Sequence, residues 1–291
     1  MLTPQTEEKA LAQALGVPKL YLKREDLHPY GSHKGRSIPM MIDIKVADGA
    51  KDFAISSSGN AALAAARHIQ KKNSEGHDLT LAILAGEHMN EEKKRALKNE
   101  ITDERITIEE TPRPLQALFR LIKGGGKESL RQSTDDDALL GYQSLAHEIA
   151  ATPELSAVFI GTSSGTTAQA LADHFAEHGV HAQIHVVQTA GTSPIAREFK
   201  AEESEPETSL ADAIVDRVAH RKDTVVKAVE KTGGAGWIAS NDDIRRAQSL
   251  LQEKACVDAT PNGALGLAGL IRALKKGARF SGAVVCVITG K

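Results

Sequence analysis

Apolar and polar positions alternate along this chain in short blocks, and the period changes from block to block. Residues 20–22, 52–56, 79–84, 104–108, 156–160, 184–187, 237–239 and 283–288 read as short strands. Between them, apolar residues fall at helical spacing over 5–16, 38–44, 61–69, 91–98, 114–122, 139–150, 168–177, 244–254 and 264–275. Gly16 is placed to close the first helix. Asn241, Asp242 and Asp243 are placed to cap the helix at 244–254. The run 283–288 is apolar throughout, as a strand buried on both faces must be. Alternation from end to end predicts an α/β fold of mostly parallel sheets covered by helices.

The chain has 291 residues, enough for one large or two modest α/β domains. Lys and Arg number 36 against 38 Asp and Glu, so no basic excess points to nucleic acid. Aromatic residues make up 3%, which argues against base-stacking surfaces. The first ten residues are polar and carry both signs of charge, unlike a signal peptide. No apolar run is long enough to span a membrane. Cys256 and Cys286 sit in apolar surroundings without metal spacing and read as reduced core residues of a cytoplasmic protein.

Several patterns imitate functional sites. Gly124, Gly125, Gly126 and Lys127 lack the spacing and the preceding strand of a phosphate-binding P-loop. Asp135, Asp136 and Asp137 read as a solvated helix start rather than a metal site. His174 and His178 have metal-ligand spacing, but no partner motif supports them, and no metal is expected. Residues 200–208 are acidic and read as an exposed loop.

The run from Lys23 to Arg36 stands apart. It follows the strand at 20–22 and ends where a helical pattern begins, so Lys34 lies on a Gly- and Ser-containing turn near a helix N-terminus. A cation is disfavoured there unless its amine is covalently tied up or an anion sits beside it. Both hold if the lysine carries a phosphorylated aldehyde cofactor as a Schiff base. Two later stretches repeat a strand, small polar loop, helix layout that points backbone N–H groups at an anion. One is Ser57, Ser58, Gly59 and Asn60; the other is Gly161, Thr162, Ser163, Ser164, Gly165 and Thr166.

The run around Lys34 resembles the cofactor-lysine segment of the pyridoxal-phosphate enzymes of the tryptophan-synthase-β type, fold type II. His33 and Gly35 depart from the commoner pattern, and Ala61 stands where a threonine usually follows the asparagine. The ending Val284 to Gly290 resembles that of threonine synthases, although theirs continues further, so whatever a longer tail supplies is expected to be missing.

The resemblance implies two three-layer α/β domains with the cofactor in the cleft between them. The smaller covers about 41–140, and the larger 1–40 plus 141–291. It implies that Lys34 forms the Schiff base and then serves as general base, and that residues 161–166 cradle the phosphate. Asn60 would contact the ring oxygen, Thr289 the ring nitrogen, and Ser57, Ser58 and Gly59 the substrate carboxylate. The implied activity is elimination or replacement on a small amino acid, foremost threonine synthesis from O-phosphohomoserine and water. A serine/threonine dehydratase, a cysteine-synthase-like enzyme and a non-catalytic cofactor-binding protein are the alternatives. A homodimer is the family habit.

Overall fold

The computed structural model describes residues 2–87, 89, 91–200 and 208–290. The chain divides into two compact units, one of residues 1–28 with 142–291 and the other of residues 29–141. The sequence-based boundaries at 41 and 140 stand beside these limits, and Lys34 falls within the second unit. The chain starts with β1 (Gln5–Glu7), α1 (Lys9–Leu15) and β2 (Lys19–Arg24). Gly16 ends α1 at φ 69°, a left-handed closure that glycine adopts at no steric cost. The strand β1, three residues long, is too short to leave a periodic signal.

The smaller unit runs α2 (Lys34–Ala47), β3 (Asp52–Ser56), α3 (Asn60–Ser74), β4 (Thr80–Gly86), α4 (Glu91–Glu100), β5 (Ile106–Thr111), α5 (Pro114–Lys123) and β6 (Glu128–Ser129), and then starts α6 (Asp137–Ala150). Its four strands are all parallel, in the order β5-β4-β3-β6. The alternation along β3 and β4 sorts side chains to two faces. Phe53, Ile55, Leu81 and Ile83 meet Ile38, Met41, Ala62 and Ala65 of α2 and α3. Ala54, Ala82 and Leu84 meet Leu118 of α5. The result is a three-layer sandwich. Of the aspartates weighed above, Asp137 opens α6, and Lys45 bridges Asp135 at 2.8 Å and Asp137 at 3.3 Å.

The larger unit continues with β7 (Leu155–Gly161), α7 (Thr166–Glu177), β8 (Gln183–Thr189), α8 (Lys222–Lys231), β9 (Gly236–Ala239), α9 (Asn241–Ala255), α10 (Leu265–Lys275) and β10 (Ala283–Ile288). Its sheet has the order β1-β2-β10-β7-β8-β9, parallel except for β1. The last strand is thus inserted between the first and the middle of the chain, and all six residues of β10 are buried. Leu20, Leu22, Phe159, Val284, Cys286 and Ile288 share a core with α1, α9 and α10.

Two details correct the sequence reading. The cap of α9 is Ser240, whose hydroxyl accepts from Asp243 N–H in a reciprocal capping box, so the helix starts earlier than the Asn241-to-Asp243 assignment placed it. Cys256 is exposed rather than in the core, because it occupies the left-handed closing position of α9 at φ 53°. Cys286 is buried, which pushes its thiol above the usual range. The acidic stretch expected as a loop lies, over 201–207, outside the described residues.

Candidate cofactor site

In the smaller unit, Lys34 is the first residue of α2. Ser32 Oγ accepts the Lys34 backbone N–H at 3.3 Å, and Gly31 turns the chain at φ 82°. Lys34 is half-buried, and its Nζ makes no hydrogen bond or ion pair among the described residues. The second candidate loop leaves β3 and enters α3, with Asn60 as its first helical residue. Ser57 Oγ accepts Gly59 N–H at 3.3 Å and shapes that turn.

In the larger unit, the loop from Gly161 to Thr166 joins β7 to α7. Two glycines are required there. A Cβ on Gly161 would lie 2.6 Å from Leu265 Cβ, and Gly165 sits at φ 84° against Val225 and Ile195. Thr162 N–H donates to Val187 O at 3.0 Å, and Thr162 Oγ1 accepts Gly165 N–H at 2.9 Å. The Ser164 and Thr166 hydroxyls lie 2.8 Å apart. Ser163 serves as a junction, because its carbonyl accepts from Gln188 Nε2 and its Oγ accepts from Val215 and Asp216 N–H, all at 3.0 Å.

Thr289 follows β10 in the same unit and is 6% exposed. Cys286 stands opposite Phe159 in parallel register, so β10 and β7 end together and bring Thr289 and the 161–166 loop to one edge of the sheet. Thr289 Oγ1 donates to Asn262 O at 3.2 Å. Asn262 also accepts Ala213 N–H and donates to Asp212 Oδ1, both at 3.0 Å, which ties the 212–216 stretch to this edge. Gln188, Asn262 and that stretch were not singled out from the sequence. The bonds that place them at this site span 25 to 53 residues, so no local pattern marks them.

The donor set suits a phosphorylated ligand. The first N–H groups of an α-helix lack intrahelical acceptors. Helices α3 and α7 start without a side-chain cap, as do α1, α5, α8 and α10, whereas the first N–H groups of α2 already have acceptors in Ser32 Oγ, Ser32 O and His33 O. Bare N-termini with hydroxyls beside them offer positive dipole ends and donors to an anion. The buried hydroxyls Thr189 Oγ1 and Ser193 Oγ, on the stretch that Gln188 ties to the 161–166 loop, have no hydrogen-bond partner among the described residues. His174 and His178 stack at 4.0 Å, and no three His, Cys, Asp or Glu side chains among the described residues are grouped to hold a metal.

Residues 2–290 match the family described as pyridoxal-phosphate dependent enzyme. The chain belongs to that family, and its cofactor is pyridoxal phosphate. It is similar to the threonine synthase of Methanosarcina acetivorans, with 25% identity over 99% of this chain and 74% of the relative. Its fold is that of the processed form of threonine deaminase isoform 2 from Solanum lycopersicum, with a TM-score of 0.81 at 20% identity, covering 99% of this chain and 78% of that one. Maize serine racemase matches with a TM-score of 0.80 at 18% identity, covering 99% and 87%. No described helix is long and apolar enough to cross a membrane.

Proposed function

We propose that this protein performs elimination or replacement on a small amino acid as a lyase of amino-acid metabolism, with threonine synthesis from O-phosphohomoserine and water as the leading reaction. The observation that carries the reading is Lys34, whose half-buried amine at a helix start has no partner among the described residues. Such an amine is suited to be the one that holds the cofactor. Bound pyridoxal phosphate supplies the electron sink that loosens bonds at the amino-acid α-carbon.

Lys34 would hold the cofactor through Nζ and, with its amine free, would take up and return a proton there. Gly161, Thr162, Ser163, Ser164, Gly165 and Thr166 hold the phosphate with N–H groups and hydroxyls. Asn60 would help hold the cofactor ring, and Ser57, Ser58 and Gly59 would orient the substrate carboxylate. Thr289, whose hydroxyl here donates to Asn262 O, would turn that hydrogen to the ring nitrogen when the cofactor is bound. A neutral hydroxyl holds that nitrogen protonated less firmly than a carboxylate would, which suits elimination and replacement.

Ala61 supplies no hydroxyl at the second position of α3, where the family usually has threonine. That change near the chemistry favours, as second reading, a cofactor-binding protein without turnover. The working form is a homodimer in the cytoplasm. The test is turnover by cofactor-loaded protein. Phosphate release from O-phosphohomoserine supports the leading reaction, and ammonia release from serine or threonine supports the dehydratase. Cofactor binding without turnover of any of these would leave a binding protein.

A further inference from the structure

Tyr30, His68 and Asp43 form one hydrogen-bonded chain in the smaller unit. The Tyr30 hydroxyl lies 3.0 Å from His68 Nδ1, and His68 Nε2 lies 2.9 Å from Asp43 Oδ1. The two rings meet edge to face with 6.0 Å between centroids. Tyr30 comes from the turn that leads to Lys34, His68 from α3 and Asp43 from α2. A carboxylate only accepts, so His68 Nε2 carries a hydrogen. In the neutral ring Nδ1 is then bare, and Tyr30 donates to it.

Burial, more than the surrounding charges, favours that state. Burial lowers the pKa of His68, Asp43 offsets this in part, and Lys72 and Lys71 add to the lowering. Burial pushes Asp43 up, but His68 and Lys72 outweigh it and hold the carboxyl low. Lys72 Nζ stands 3.2 Å from the same Oδ1 that His68 uses. Burial raises the Tyr30 pKa, and Asp43 and Glu75 raise it further. Arg67 flanks the turn, with Nη1 3.3 Å from where a Gly31 Cβ would stand. The tyrosine ties the upstream end of the turn to α3, while Ser32 ties the Lys34 backbone downstream.

We propose that Tyr30, His68 and Asp43 are positioning residues for Lys34, fixing the turn that presents its amine. This rests on the reading of Lys34 as the cofactor lysine. Protonating His68 puts hydrogens on both ring nitrogens, so Nδ1–H now donates to the Tyr30 oxygen and the phenolic hydrogen turns away. The contact therefore survives protonation of His68 with its direction reversed, so the histidine holds the turn in either charge state.

The test is a titration with pyridoxal phosphate, followed by its visible band, of wild type, Tyr30→Phe, His68→Gln and Lys34→Ala from neutral to mildly acidic pH. In parallel, nitrogen NMR reads the His68 tautomer in cofactor-free protein. Tyr30→Phe is expected to weaken the cofactor roughly five- to tenfold, the worth of one such hydrogen bond, while the attachment stays on Lys34. His68→Gln, whose amide can donate to Asp43 and accept from Tyr30, is expected to keep wild-type affinity across this pH range. NMR is expected to show a bare Nδ1. Wild-type affinity and pH profile in Tyr30→Phe, with the band still lost in Lys34→Ala, would overturn the positioning role alone. No band in wild type would overturn the cofactor reading and the positioning role with it.

Discussion

Replacing Gly165 with alanine probes the loop from Gly161 to Thr166 most sharply. Two costs meet at this position. The backbone sits at φ 84°, a left-handed conformation that costs an alanine about 1–2 kcal/mol. The new Cβ would lie 2.7 Å from Val225 Cγ2 and 2.9 Å from Ile195 Cδ1, and such crowding adds about 1–3 kcal/mol. The lower entropy of an unfolded alanine returns about 0.4–1 kcal/mol. The net loss is about 3 kcal/mol in mid-range. Gly179 provides the control in the same unit. It has φ 66° and nothing within 4 Å of a Cβ, so Gly179→Ala carries the backbone cost alone, about 1 kcal/mol. Urea unfolding of wild type and both variants separates the terms, since the difference between the variants is the crowding. Pyridoxal phosphate affinity is expected to fall in Gly165→Ala and to hold in Gly179→Ala. Equal unfolding midpoints for the two variants would refute the packing of this loop against Val225 and Ile195.

Three further outcomes follow from buried groups. His185 accepts Ala235 and Trp237 N–H at Nδ1, and burial holds its pKa at about 4, below the ordinary histidine value of 6.5. Its contribution is therefore complete above pH 6.5 and is lost as pH falls through 6.5 towards 4, about 3 kcal/mol in all, readable as a falling urea midpoint. Lys23 and Glu148 form a buried ion pair, and Lys23 Nζ also donates to Thr3 O at 2.9 Å. Lys23→Met is expected to cost about 3–5 kcal/mol and the double variant with Glu148→Leu much less, because only the single variant strands a buried charge. A thiol reagent is expected to titrate Cys256 in the native protein and Cys286 only after unfolding.

The strands that alternate on a covered sheet were legible because burial on both faces imposes runs such as 283–288. The strands β1 and β6, with three and two residues, leave no period to read. The place of Lys34 at a helix start was legible from the turn residues before it and the apolar run after it. Cys256 was misread because exposure at a helix end depends on a left-handed closing residue, not on apolar neighbours in sequence. The contacts of Tyr30 with His68 and of Ser163 with Asp216 join residues 38 and 53 positions apart, a scale at which single-sequence periodicity carries no information.

The visible absorption spectrum of the purified protein with pyridoxal phosphate, taken beside Lys34→Ala, tests the central claim most directly. The account predicts a band in wild type that is lost in the variant. No band in wild type, or a band that survives without Lys34, would contradict it.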